Sequence, residues 1–561
     1  MSSIVHKVVG GQTYYYLREM ARIGGKPKMV SQRYLGKATD IEAAMDGAMA
    51  VPERTRHLGF GDLAAVWSIL ERLGVTNIVD EVVGVRRCDA GASVGVYIAL
   101  AAANRVVAPC SKLAFADWWA TTAGDRWVRL PAAALDHRRF WDAMNAIDAD
   151  ALVEIERRIG AAMVATFGLD LSGLVLDMTN FATYIDSAND RADIAQRGHA
   201  KQKRTDLRLV SLGLVVTTDG GIPLCSHAYA GNRPDVTQFA GIVTELVARW
   251  GALAADSNDL TLVYDAGQDS EANQVQIEAS PLHFVGSVPP SDFAELLAVN
   301  ARRYRAVDPE RYPGLTAFDT RGAALGAERR LVVTHSPTLH AKQTRGFAQT
   351  TGVASRRLAE LAARLARGKT RKNRAAVETE IAEICKPRWV NRVITTTLNG
   401  DTPATFTLTW AIDPKAVKAL ATEMFGKRIL FTDHDNWPVV DIVAAYRSQS
   451  SIENDFRQMK DPRVVSFSPM FHWTDQKIRV HVFYCVLALA IARLMQREAA
   501  NAGTPMSARE LLASLAGIEE TVLLYPSTGG RPKARRMLTE MSATQQRLYD
   551  LFTLNTHAPK Q

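Results

Sequence analysis

Cysteine is scarce and scattered. The 561 residues hold five, Cys88, Cys110, Cys225, Cys385 and Cys485, far apart and never in a CxxC pair. Such thiols exclude a disulfide framework and a zinc finger, and they fit a reducing compartment. Long apolar runs are also missing. The most apolar stretch, VHVFYCVLALAIARLM, lies among charges and is shorter than the roughly 20 residues a membrane span needs. The opening MSSIVHKVVGG has no apolar core behind a basic start, so no signal peptide is expected. No internal repeat or long low-complexity tract is evident.

What is present is the composition of an ordinary soluble protein, 47% apolar and 22% charged. At about 100–200 residues per domain, the length implies three or four units. The net charge of +8 favours a polyanionic partner only where the positive residues cluster. They do. Residues 1–37 carry seven basic residues, among them Arg22, Lys26 and Lys28, against the single acid Glu19. Strand-like residues flank Gly24-Gly25-Lys26-Pro27, which reads as a β-hairpin. It is either a ribbon that grips a nucleic-acid backbone or a solvated hairpin. A second cluster runs from 356 to 374, eight basic residues against Glu360, and includes Lys369, Arg371 and Lys372.

The pattern along the chain changes several times. Residues 60–165 carry apolar residues at helical spacing. From 171 the order is strand, hairpin, helix, strand, helix, strand. LSGLVLD ends in Asp177 and LTLVYD ends in Asp265. Residues 290–425 interrupt this with ERRLVVTHSP, a long amphipathic helix from about 338 to 367, and two strands joined at Asn399-Gly400, a hairpin signal. RILFTD then reads as a strand. Pro438 opens a helix through YRSQSSIENDFRQMK that stops before Asp461-Pro462. A mostly helical tail is expected to close the chain. Its GGRPKARR holds Gly530-Arg531-Pro532, a minor-groove-binding triplet or part of a solvated basic linker.

Two acids at apolar strand ends and one on a helix carry the functional reading. A buried carboxylate is costly unless paired, hydrogen-bonded or metal-bound. Carboxylate oxygens suit Mg²⁺. Three acids can hold two metals about 3.5–4 Å apart, one activating the attacking oxygen and one stabilising the leaving oxygen. The bland alternative for each Asp is a turn or cap residue. Tyr446, Glu453 and Lys460, seven apart, would share one helix face, with Lys460 a compact charge suited to phosphate. Arg197, His199, Lys201, Lys203, Arg204 and Arg208 form a basic loop close in sequence to Asp177. His472 and His481 read as core or capping residues, because this chemistry prefers oxygen ligands.

Four ordered blocks resemble one family. DMTNF with GHAKQKRTDLRLVSLGLVVTTDGGIPL and YAGNRPDVTQF, then LVYDAG, then YRSQSSIENDFRQMK, are similar to the catalytic blocks of bacterial insertion-sequence DDE transposases with a Tyr-Arg-Glu-Lys signature. YYYLREMARIGGKPKMVSQRYLG resembles their opening. The resemblance implies a mixed α/β chain: a ribonuclease H-like catalytic core over 166–290 and 426–500 with an inserted α+β domain over 291–425. A basic β-hairpin segment over 1–55, a helical DNA-end-binding region over 56–165 and a helical tail over 501–561, a candidate dimerisation element, complete it. It implies Asp177, Asp265 and Glu453 as catalytic metal ligands for two Mg²⁺ ions, with Mn²⁺ able to substitute. It places Tyr446 and Lys460 on the terminal phosphates of the element. It implies double-stranded DNA, both element ends and target, as partner, a homodimer in the synaptic complex, no membrane, and a bacterial cytoplasmic protein associated with the nucleoid. One departure stands out: the signature Arg falls on Gln449. Arg447, two residues earlier, lies about 200° round an ideal helix and is not an obvious substitute.

Overall fold

The computed structural model describes residues 2–49, 51–84, 91–186, 188–201, 204, 206–254, 260–369, 371–525 and 533–560. Lys203 and Gly530-Arg531-Pro532 lie outside the described residues. The chain opens with three antiparallel strands, β1 (Ser2–Val9), β2 (Gln12–Ile23) and β3 (Lys26–Gly36). Gly24 and Gly25 both take left-handed φ, 62° and 77°, as a two-residue hairpin turn requires. A second such pair, Gly10 and Gly11, adds β1, which the sequence reading did not separate. Ile23 faces Lys26 and Arg22 faces Pro27, so Arg22 lies on the opposite face from Lys26 and Lys28.

After β4 (Arg54–Gly59) comes the helical region, whose main helices are Gly61–Arg72, Val94–Val107 and Ala149–Phe167. The catalytic-core pattern follows. β5 (Gly173–Thr183), β6 (Arg208–Thr217) and β7 (Pro223–Ala230) form an antiparallel meander. β8 (Thr261–Val263) and β9 (His283–Val288) run parallel to β5, reached through helices Phe239–Ala254 and Glu271–Glu278. The spatial order of these five is 3-2-1-4-5. This mixed sheet with helical crossovers is the ribonuclease H-like core that the family resemblance implied.

The sheet is wider than expected. β10 (Arg305–Ala306), β11 (Thr316–Ala324) and β12 (Ala327–His335) extend it, and β12 pairs with a strand far along the chain. The expected insertion over 291–425 therefore narrows to residues 337–424. Sequence order hid this, because the partner of β12 follows the insertion instead of preceding it. The insertion starts with the 30-residue helix Pro337–Ala366 and contains β13 (Ile394–Asn399) paired with β14 (Thr407–Ile412). Asn399 pairs with Thr407, so Asn399-Gly400 opens a loop over 400–406 and not a two-residue turn. β15 (Lys427–Thr432) then lies between β12 and β9, antiparallel to both.

The tail is not purely helical. β16 (Glu519–Tyr525) pairs with β17 (Lys533–Leu538) on one side and β4 on the other. TVLLY is strand-forming by its branched and aromatic residues, and its partner β4 lies near the other end of the chain. Glu520, fully buried, ion-pairs with Arg126 and Arg536 at 2.5 Å each and ties the tail to the helical region. The apolar run noted above belongs to the helix Asp475–Asn501. It is long and apolar enough to span a bilayer, but 89% of its most apolar window is buried inside the protein. It packs against Val94–Val107, Ala149–Phe167 and β7, joining the helical region to the sheet. His481 is buried in it, hydrogen-bonded to Phe467 O and Tyr484 Oη.

Candidate active site

Asp177 stands inside β5, not at its end. The apolar run stops there, but DMTNFAT keeps pairing with β6 as far as Thr183 opposite Arg208. What ends is the other neighbour. β8 pairs only with Gly173–Val175, so beyond Val175 that side of β5 is open. Asp265 follows β8 by two residues. The sheet thus presents both acids at the carboxyl ends of its parallel strands, where open α/β sheets bind ligands.

Glu453 arrives on the helix Gln449–Met459, which packs on β5. Alternation puts Asp177, Thr179 and Phe181 on one face of that strand. Lys460, at the end of the helix, donates from Nζ to Thr179 Oγ1 at 2.7 Å and lies 5.5 Å over the Phe181 ring. The helix therefore covers the Asp177 face. Burial raises the Asp177 carboxyl to about 6; Asp265 and Glu453 add to the rise, and Lys201 opposes it. Burial likewise lowers Lys460 to about 8, helped by Lys201 and opposed by Asp177.

The expected single helix is two, Val439–Arg447 and Gln449–Met459, divided at Ser448. Ser448 Oγ donates to Ala445 O at 2.5 Å and Ser451 Oγ to Ser448 O at 2.7 Å, serine contacts that compete with the helical ladder. Tyr446 turns inward and is buried. Its hydroxyl accepts from Arg428 Nη1 at 2.8 Å and donates to Asp265 Oδ1 at 3.0 Å. Ser287 Oγ donates to the same Oδ1 at 2.8 Å. Burial, then the Asp265 charge, pushes the phenol up to about 12, so it stays a donor. Its hydroxyl is engaged with an acid and not directed outward to solvent.

Gln449 is 9% exposed, and its Nε2 is buried without a hydrogen-bond partner. It lines a cavity of about 290 Å³ together with Arg428, Tyr446, Arg447 and Glu453. Arg447 was expected to face elsewhere, yet it shares this cavity; its guanidinium lies 4.7 Å over the Tyr312 ring.

The other expected DNA contacts are less central. Lys201 donates to Met178 O and ion-pairs with Asp235 at 3.0 Å, so protein groups already hold it. Arg204 pairs with Asp206 at 2.7 Å and is exposed. Arg22, Lys26 and Lys28 are exposed on the N-terminal strands, and Lys369 and Arg371 in the loop after the 30-residue helix. Lys372 pairs with Glu380 at 2.9 Å. A straight helix of that length spans ~45 Å, and its first turns line the two cavities beside the acids, so the basic loop is remote from them.

Sequence reasoning missed Arg428, Ser287, Thr179 and Asp269. Arg428 was quoted only as the start of an apolar strand, and nothing in the sequence distinguishes Ser287 or Thr179 from neighbouring strand residues. Asp269, four residues after Asp265, has both carboxyl oxygens buried without partners, and burial plus the Asp265 charge raises it to about 7.

Asp177, Asp265 and Glu453 make a hard-oxygen donor set whose charges resist one another, which suits a divalent cation. Among the described residues, the group of three whose ligand atoms lie within 4.8 Å of one another is His283, Asp433 and His434; the three acids stand farther apart than that. The His-Asp-His group sits at the start of β9 and the end of β15, and His434 contacts Thr261 at the start of β8, so it marks the opposite end of the sheet. Asp433 is already satisfied there, by His283 Nδ1 at 2.8 Å and the Phe284 N–H at 3.0 Å.

The chain was compared with known proteins. Curated protein sequences give no match. Among solved structures, a piggyBac transposase synaptic complex with hairpin DNA is similar at 9% identity, over 83% of this chain and 82% of that one, with a TM-score of 0.37. The family model described as Transposase DDE domain matches residues 169–469, more than half of the 561. Asp177, Asp265, Glu453 and Lys460 all fall inside that match. The chain belongs to the transposase DDE domain family and is a DNA transposase.

Proposed function

We propose that this transposase is of the bacterial insertion-sequence group with a Tyr-Arg-Glu-Lys signature, cutting its element ends and joining the freed 3′-hydroxyls to target DNA. The observation that supports it is the convergence of Asp177, Asp265 and Glu453 from β5, the β8 end and a covering helix. Bound divalent cations, two Mg²⁺ in this reading with Mn²⁺ as a substitute, supply a water of lowered pKa and charge neutralisation at the leaving oxygen.

The chain's own residues do the rest. Asp177, Asp265 and Glu453 hold the cations. Tyr446 and Ser287 fix the orientation of Asp265 through two hydrogen bonds to one oxygen. Lys460, anchored on Thr179, keeps a positive charge beside Asp177 for a phosphate. Lys201, Lys203, Arg204, the hairpin residues Arg22, Lys26 and Lys28, and Lys369, Arg371 and Lys372 neutralise backbone phosphates, so binding weakens steeply with salt. The helical region binds the ends, residues 501–561 contribute to pairing, and two copies act together because two ends must meet. The enzyme works in the cytoplasm on nucleoid DNA.

Incubating the protein with labelled element ends, Mg²⁺ and a target plasmid tests this. Cleaved ends with joined product are expected. Cleavage without joining would make it a nuclease on the same fold. Binding without cleavage would make it an inactive remnant.

A further inference from the structure

We infer that the cavity beside Glu453 is a phosphodiester-binding pocket whose cation is Arg428, supplied from β15. This rests on the transposase reading above and adds a residue and a site to it.

Strand register puts Arg428 in place. β15 runs antiparallel to β9, with Ile429 opposite Val288 at the end of β9. The start of β15 therefore reaches the end of the sheet that carries Asp265, and its far end reaches Asp433. Leu339, Arg428 and Tyr446 are common to two cavities, and Arg428 is the one charged group among them. One, of about 290 Å³, contains Glu453, and the other, of about 580 Å³, contains Asp265 and Ser287. The guanidinium thus stands at the partition between the second and third acids.

Its remaining capacity is unspent. Arg428 gives one Nη1 hydrogen bond to Tyr446 Oη and lies 5.4 Å over that ring. Among the described residues no carboxylate ion-pairs with it, whereas Arg321, Arg329 and Arg330 on the neighbouring strands are each paired with an acid. A guanidinium has five N–H donors in a planar fork. One is engaged here with a neutral group.

Two further donors face the same space. Gln449 Nε2 is buried on the cavity wall with no partner among the described residues, a costly arrangement unless a ligand acceptor completes it. Arg447 lines the cavity from the adjoining helix end. Two guanidinium groups and an amide N–H, beside a carboxylate proposed to hold metal, recognise a small oxyanion. In this enzyme that is a DNA backbone phosphate next to the one being cut. Gln449 is then a neutral second donor, and the pocket keeps its positive charge because the charge comes from the sheet.

The test uses full-length protein and a duplex of its own element end, with Ca²⁺ for binding and Mg²⁺ for cleavage. Arg428→Gln should lower end cleavage about 100-fold and reduce the slope of log affinity against log salt by about 0.9, the value of one phosphate contact. Arg428→Lys should recover little, because a point charge does not reproduce the fork. Adding Gln449→Arg to Arg428→Gln should restore cleavage about tenfold, by returning a guanidinium to the same cavity. Neutral methylphosphonates placed one at a time along the wild-type substrate should reveal one position where binding weakens about tenfold, and Arg428→Gln should be insensitive there.

A salt slope and methylphosphonate profile unchanged in Arg428→Gln would overturn the inference, even with cleavage lost, because Arg428 would then act only through Tyr446. So would a wild-type profile with no sensitive position. Should Arg428→Gln not fold, Arg428→Met is read in the same way, because it too removes the charge, whereas Arg428→Lys keeps the charge and with it the salt slope. Wild-type protein that neither binds nor cleaves ends would sink the transposase reading itself, a separate outcome.

Discussion

The two ends of the central sheet both gather carboxylates, and they treat them in opposite ways. At the β15 end, Asp433 has a His partner and a backbone N–H, so its charge is answered. At the β8 end, Asp177 and Asp265 face Glu453, and Asp177 is raised by burial and, to a lesser degree, by the other two. A folded protein has no structural reason to place three acids together at the open edge of a strand. Among the described residues none of the three makes an ion pair, which fits the proposed metal site, whereas Asp433 pairs with His283.

The largest effect should come from removing the charge of any of the three acids. Asp177→Asn, Asp265→Asn and Glu453→Gln should each lower end cleavage by about 10³-fold or more, as loss of a group acting only in the transition state does, while DNA binding persists. Asp433→Asn should leave cleavage within about threefold, being remote from the site. Equal losses at both ends, read by gel, would erase the distinction.

Next is Tyr446→Phe, which removes the donor to Asp265 Oδ1 but leaves Ser287 in place. A drop of about tenfold in cleavage follows from ~1.5 kcal/mol for a hydrogen bond to a charged group. Mg²⁺ affinity measured by titration should fall with it.

Acidity separates the ends a third way. The folded pKa of Asp177, about 6, lies above the ordinary carboxylate range, so the metal-free fold gains stability as pH falls through 6 and loses it as pH rises. Metal needs the deprotonated acid. The Mg²⁺-induced rise in Tm should therefore shrink below pH 6. A rise that grows on acidification would contradict the assignment.

The smallest effects are on stability without metal. Asp177→Asn should stabilise the metal-free protein at pH 7 by about 1 kcal/mol, discounted for partial solvent contact. Asp433→Asn should destabilise it by about 1 kcal/mol through its lost hydrogen bonds. Opposite signs in urea melts are the sharpest form of the comparison.

Much of this was legible in the sequence where neighbours in space are neighbours in the chain. The β6–β7 hairpin and the strand before Asp265 follow from local alternation and turn chemistry. The three acids could be named because strand ends and a seven-residue spacing are local patterns. What was not legible is long-range pairing. β12 was assigned to the insertion because its partner β15 lies beyond it, and β16 was taken for helix because its partner β4 lies near the opposite terminus. Asp177 reads as a strand end because the apolar run stops there, while the hydrogen bonds that continue β5 belong to β6. Arg428 was invisible for the same reason: its meaning comes from Tyr446 and Asp265, distant in sequence and in contact only after folding.

In the reading proposed above, in which Lys369 and Arg371 grip backbone phosphates, the helix Pro337–Ala366 would also set a distance along DNA. Its first turn lines the cavity beside Glu453, and its far end delivers Lys369 and Arg371. A duplex cut at the acids and lying along this helix would advance ~13 base pairs over its ~45 Å, at 3.4 Å per step. The helix would in that reading be a ruler, measuring a little more than one turn of duplex from the point of cleavage to the next grip.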